Sequence, residues 1–214
     1  MRWPILKALC AAFALAAGVG FAPSGALALS DQDRADIARI ESYLDAIRSY
    51  RSAFFQIAPN GAVTEGRFVM ERPGRLRFDY DPPSPLEIVA DGTYLHYYDH
   101  ELGQINSFAI EDTPIGALVQ ETIRFDELVD VTEVSRDPGV IRVTLVDAED
   151  PAMGSLTLVF MDAPLELRQW QLKDAQGLVT TVAFLDGTLN PPLDPALFVF
   201  DDPRSDLKPG KAAN

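Results

Sequence analysis

From Tyr50 onward the chain alternates apolar and polar residues with a period of two, in short runs cut by turn-forming residues. That alternation restricts the fold more than any other feature. It predicts strands over 50–58, 63–72, 75–81, 85–90, 93–99, 104–110, 130–136, 139–147, 154–161, 165–173 and 178–186. The breaks are Pro59-Asn60-Gly61, Pro73-Gly74, Asp91-Gly92, Leu102-Gly103, Asp137-Pro138-Gly139, Ala163-Pro164 and Gln176-Gly177, all good turn material. Such connections are too short for parallel crossovers, so the sheet is expected to be antiparallel. A sheet of about eleven strands curls or splits. One curved sheet, an open or half barrel, fits a mainly β (α+β) chain of this kind. Phe198-Val199-Phe200 adds a possible last short strand, and the tail from about residue 201 is polar and expected to be loose.

Two segments leave the period-two pattern. Ser30-Asp31-Gln32-Asp33 reads as a helix N-cap with acids in the first turn. Ile37, Ile40, Leu44 and Ile47 follow at three- and four-residue steps, predicting an amphipathic helix over 31–49. In 114–125, Ile115, Leu118, Val119 and Ile123 have helical spacing, with Thr113-Pro114 as cap and first position. An N-terminal helix and a mid-chain helical lid are therefore available to cover the concave face.

The N-terminus reads differently. Arg2 and Lys7 flank an apolar run, and Ala26-Leu27-Ala28 is a small-x-small site, so residues 1–28 are expected to be a signal peptide cleaved after Ala28. One domain is then expected over 29–214. The single cysteine, Cys10, falls inside the signal, which leaves no thiol for a disulfide or a cysteine metal site beyond it. An exported, periplasmic protein is expected. Without Arg2 and Lys7 the 18 basic residues become 16 against 32 acids, a net charge of −16. That argues against nucleic acid and anionic membrane surfaces.

Chemistry-bearing motifs are missing. His96 and His100 are the only histidines, and four residues along a strand puts them about 13 Å apart, too far to share a metal. There is neither a nucleophile elbow nor a phosphate-binding glycine loop, so no enzyme, cofactor or metal is expected. An apolar, concave sheet suits an apolar ligand.

Residues 66–99 read GRFVMERPGRLRFDYDPPSPLEIVADGTYLHYYD, behind Ser52-Ala53-Phe54-Phe55-Gln56 and ahead of Thr113-Pro114-Ile115. This ordered series resembles the periplasmic outer-membrane lipoprotein carrier (LolA) family. The resemblance implies an incomplete antiparallel barrel with helices as a lid. It also implies a monomeric shuttle that hides the acyl chains of lipidated proteins between the inner and outer membranes. An inner-membrane ABC transporter would be the donor and an outer-membrane lipoprotein receptor the acceptor. The alternative is a periplasmic binder of fatty acids, phospholipid or glycolipid with no lipoprotein cargo.

Parity sorts the side chains. Leu76, Phe78 and Tyr80 share the dry face of their strand, and Arg75, Arg77 and Asp79 the wet one. Phe68, Met70 and Arg72 share the dry face of the strand before it. Arg72 either ends the strand and turns to solvent or points inward at the rim. The resemblance implies the second, as a latch that bonds carbonyls of the lid helices. Phe54, Ile88, Leu95, Tyr97, Ile115, Leu118 and Val119 complete the candidate acyl-chain cavity, each equally readable as plain core. Met70 and Met153 are adaptable fillers. Val69 and His96, where relatives often carry bulkier aromatics, face away by parity.

Overall fold

The computed structural model describes residues 29–125 and 129–204. The expected signal peptide, with Cys10, lies outside the described residues, as does the tail from 205. Helix α1 spans Asp31–Asp45. Its first turn is closed by a capping box: Asp33 N–H donates to Ser30 Oγ at 3.1 Å, and Ser30 N–H donates to Asp33 Oδ2 at 2.8 Å. The helix stops four residues short of the expected end at 49, because of a distant residue. Asn190 Nδ2 donates to the Ala46 carbonyl at 3.1 Å, and Asn190 Oδ1 accepts from Arg48 N–H at 2.7 Å. These bonds take the backbone groups a further helical turn would need.

Eleven strands follow: β1 Ser49–Ile57, β2 Val63–Glu71, β3 Arg75–Tyr80, β4 Leu86–Asp91, β5 Tyr94–Asp99, β6 Gln104–Ala109, β7 Val129–Asp137, β8 Val140–Asp147, β9 Gly154–Asp162, β10 Leu165–Asp174 and β11 Val179–Leu189. They form one sheet in the order β6-β5-β4-β3-β2-β1-β11-β10-β9-β8-β7. The sheet is two meanders welded along the antiparallel pair β1–β11, with β6 and β7 as its open edges. The barrel is incomplete.

Three bulges help the sheet curl, between Arg51 and Ala53, Leu167 and Gln169, and Val131 and Glu133. The first is filled by Ser52, whose buried Oγ donates to the Leu185 carbonyl at 2.8 Å and accepts from Leu185 N–H at 3.1 Å.

This strand order decides what the middle of the chain must do. β6 and β7 are consecutive in sequence and lie at opposite edges of the sheet, so the segment joining them has to cross the open side. Its described part carries two 3-10 turns, Ile110–Asp112 and Gly116–Leu118, in place of the regular α-helix expected over 114–125. Gly116 allows the tight path, because a Cβ there would collide with the Ile110 carbonyl oxygen.

The main core lies on the concave side. An aromatic cluster runs through it: Phe68 with Phe78 at 4.6 Å between ring centres, Trp170 with Phe184 at 4.8 Å, and Phe54 with Tyr80 at 5.2 Å. Phe54 and Tyr80 meet across Gly66, which pairs with both of them on adjacent strands. A side chain at 66 would meet the Asp79 carbonyl and the Phe54 ring.

The convex face of β3–β5 is not the plain wet face that alternation suggests. The expected last strand at 198–200 is absent, and Pro195–Phe198 forms a 3-10 turn that packs on this face. Phe198 is buried beneath Arg75, whose Cζ lies 5.5 Å from the ring centre. Arg77 Nη1 donates to the Leu197 carbonyl at 3.4 Å, and Phe200 stacks on His96 at 4.4 Å. Val69 and Val89 are buried here, outside the main core cluster. His96 therefore does face away from the cavity, and its Nε2 lies 3.3 Å from Asp91.

Candidate functional site: a covered apolar cavity

A small cavity of ≈ 40 Å³ lies between the concave sheet and its cover. The sheet supplies Tyr50, Phe68, Met70, Leu167, Trp170 and Phe184. Tyr43 and Leu44 come from α1, Ile47 from the turn after it, and Ile115, Leu118 and Val119 from the mid-chain segment. Arg72, just past the end of β2, is the only charged residue in the lining among the described residues.

The cover is tied together and to the barrel by polar contacts at its rim. Glu41 and Asp45, one turn apart on α1, accept backbone N–H groups of the mid-chain segment: Phe125 to Glu41 Oε1 at 2.8 Å, Ile123 to Asp45 Oδ1 at 3.1 Å. These two bonds make α1 and the segment one unit. Arg48 Nη1 donates to the Glu121 carbonyl at 2.8 Å. At the other end, Arg136 pairs with Asp33 at 2.8 Å and Asp36 at 2.6 Å, and Arg39 pairs with Asp162 at 2.7 Å. The Asp33 carboxyl is held down at about 2 by its hydrogen bonds to Ser30 and by Arg136.

Arg72 points inward, as strand parity allows, and its side chain is only 1% exposed. Burial pulls its pKa down to about 10, partly offset by Asp45. The carbonyl partners expected of a latch are not there among the described residues: its Nε and Nη1 have no hydrogen-bond acceptor. The nearest opposite charge among those residues is a carboxylate, Asp45 Oδ1, 3.9 Å from Nη1. The lid carbonyl is taken instead by the turn that follows, where Gly74 N–H donates to the Val119 carbonyl at 2.7 Å. Gly74 sits at φ +71°, a conformation that suits glycine.

Of the expected cavity residues, Phe68, Met70, Ile115, Leu118 and Val119 line the cavity. Phe54, Leu76, Phe78, Tyr80, Ile88 and Leu95 belong to the same packed cluster but not to the lining. Tyr97 lies outside that cluster, half-buried on the face of β5 that also carries Leu95. Met153 is 66% exposed at a 3-10 turn, away from the cavity. Tyr80 donates to Gln56 Oε1 at 2.9 Å, and burial raises its pKa.

The lining residues from β10 and β11, above all Trp170 and Phe184, have no counterpart in the sequence reading. The bulge in β10 flips parity, so Leu167 and Trp170 both face the cavity although one number is odd and one even. The available signal is the isolated Trp itself, since a large aromatic in a strand seeks a buried face.

The chain matches the family described as outer membrane lipoprotein carrier protein LolA over residues 45–201. It belongs to the LolA family. Among curated LolA-family relatives, an outer-membrane lipoprotein carrier protein of Cupriavidus necator is 30% identical, and the match covers 95% of this chain and 97% of that one. Another from Alkalilimnicola ehrlichii is 31% identical, with 79% of this chain and 80% of that one covered. A solved LolA superfamily structure from Nitrosomonas europaea matches 77% of this chain and 97% of its own, at 12% identity and a TM-score of 0.41.

Proposed function

We propose that this chain is a periplasmic carrier that shelters the acyl chains of lipidated proteins between the sheet and its cover, then gives them up. The observation that carries this reading is a small apolar cavity under a cover: ≈ 40 Å³, with one charge in its lining among the described residues. Binding pockets for drug-sized ligands run from about 300 to 1,000 Å³, so an acyl chain enters only if the cover moves. The ion pairs that hold the helix end of the cover are partly exposed, and such pairs contribute little each. A cover held this way closes an empty cavity and yields to a ligand. The gain is large, since each methylene taken out of water is worth about 0.8 kcal/mol.

The finer assignments follow the family. Residues 1–28 direct export and are removed after Ala28, leaving a carrier domain from 29 to 214. Cargo arrives from an ABC transporter in the inner membrane and leaves to a lipoprotein receptor in the outer membrane. The protein works as a monomer, and it binds and transfers without turnover chemistry. The cavity residues are those of the sheet and cover named above, with Arg72 as the residue that controls the lid.

The test is what the protein holds. Purified from its native periplasm and examined by mass spectrometry, it is expected to carry triacylated peptide. Free fatty acid, phospholipid or glycolipid alone would turn the reading to a lipid-binding protein without lipoprotein cargo. An empty protein that also fails to bind a synthetic triacylated peptide would overturn it.

A further inference from the structure

We propose that Asp45 is the positioning residue through which Arg72 controls the lid, so that the latch is a charge pair and not a set of hydrogen bonds to carbonyls. The inference rests on the reading of α1 and the mid-chain segment as a movable cover. Among the described residues, three charged groups act on the buried Arg72 guanidinium: Asp45, Arg48 and Glu121. Arg48 and Glu121 pair with each other at 3.5 Å, so their effects on Arg72 largely offset. Asp45 has no other ion-pair partner among the described residues, and its Oδ1 stands 3.9 Å from Arg72 Nη1. Among the described residues it is the one carboxylate free to balance that charge.

The same oxygen has a second role. Asp45 Oδ1 accepts the N–H of Ile123, a fully buried residue of the mid-chain segment. One atom thus faces the barrel's guanidinium on one side and the cover's backbone on the other. Closing the cover brings the counter-charge to Arg72. Lifting α1 removes it.

The consequence for cargo follows from burial. When acyl chains fill the opened cavity they keep water out, and Arg72 then sits beside hydrocarbon with its counter-charge withdrawn. A buried charge without a partner is costly. That cost falls on the loaded state alone, which sets the affinity at a level from which cargo can leave. Asp45 is 40% exposed, so its pull is partly screened, and the coupling is expected to be modest.

Asp45→Asn separates the two roles, because an amide oxygen still accepts from Ile123 N–H but carries no charge. The experiment is a double-mutant cycle with Arg72→Leu, in the full protein as exported, read by uptake of the neutral probe N-phenyl-1-naphthylamine. Asp45→Asn in the native background is expected to raise apparent probe affinity about fivefold, the factor set by loss of a partly exposed pair. In the Arg72→Leu background it is expected to add nothing. Equal effects in the two backgrounds, or none in either, overturn the inference. Asp45→Ser in the same cycle yields the same coupling should Asp45→Asn prove unstable by thermal melting. Binding of a synthetic triacylated peptide to the unmodified protein is measured alongside. If the cycle holds and the peptide does not bind, the carrier reading fails while the charge latch stands. If the peptide binds and the cycle shows no coupling, the reverse is true.

Discussion

At the scale of single residues, two positions make opposite demands. Arg72 is buried with two nitrogens unbonded, an arrangement that costs stability. Replacing such a group by a hydrophobe of similar bulk is often neutral or stabilising. Arg72→Leu is therefore expected to fold with a melting temperature equal to or above that of the native protein, yet to keep its cargo longer. Thermal melting and a reconstituted transfer assay check the two halves, and wild-type onward transfer would count against a role in release. Gly66 is the contrary case. Its missing side chain lets Phe54 and Tyr80 close over β2, and any Cβ collides with backbone at Asp79. Gly66→Val is expected to cost roughly 1–3 kcal/mol, the usual range for overpacking a filled core, measured by urea unfolding. Arg72's inward direction is legible from alternation because nothing interrupts β2 between Phe68 and its end. Its partner is not legible, since Asp45 lies 27 positions earlier and reaches it only after the sheet has curled.

At the scale of elements, α1 is the piece whose attachment can be titrated. The Asp33 carboxyl, ordinarily near 3.8, is lowered to about 2 in the folded protein. A lowered pKa means stabilisation that is complete above the ordinary value and lost as the pH falls through the folded one. The Ser30 and Arg136 contacts at the start of α1 are therefore expected to fail between about pH 4 and pH 2. Trp170, which lies in the cavity and is the only tryptophan after Trp3, should report the change as a red shift in emission. Arg136→Gln should weaken that step and move it to higher pH, and an unchanged transition would show that α1 is held by other contacts. The same element can be locked. Arg39 of α1 meets Asp162 of β9 at 2.7 Å, and the chain has no cysteine after Cys10. Bridging Arg39→Cys and Asp162→Cys with a short bis-maleimide is expected to abolish uptake of N-phenyl-1-naphthylamine. Uptake equal to that of the unbridged double variant would argue that the cavity fills by another route.

For the whole molecule, strand order matters more than any single contact. The weld of β1 to β11 sends β6 and β7 to opposite edges, and the stretch between them becomes a cover because it has nowhere else to run. The alternating residues determined by themselves that there would be many short antiparallel strands, one amphipathic helix ahead of them, and a dry face through Leu76, Phe78 and Tyr80. These properties depend on neighbours within a few positions, and a periodicity of two or of 3.6 is a local signal. Tertiary structure alone decided where α1 ends, because Asn190 reaches it from 144 residues away. It also turned the mid-chain segment into 3-10 turns, brought Leu167 and Trp170 to one wall through a bulge, and buried Phe198 beneath Arg75. Each of these outcomes is a contact between distant segments, made only when burial brings them together, and no local pattern encodes which segments those will be.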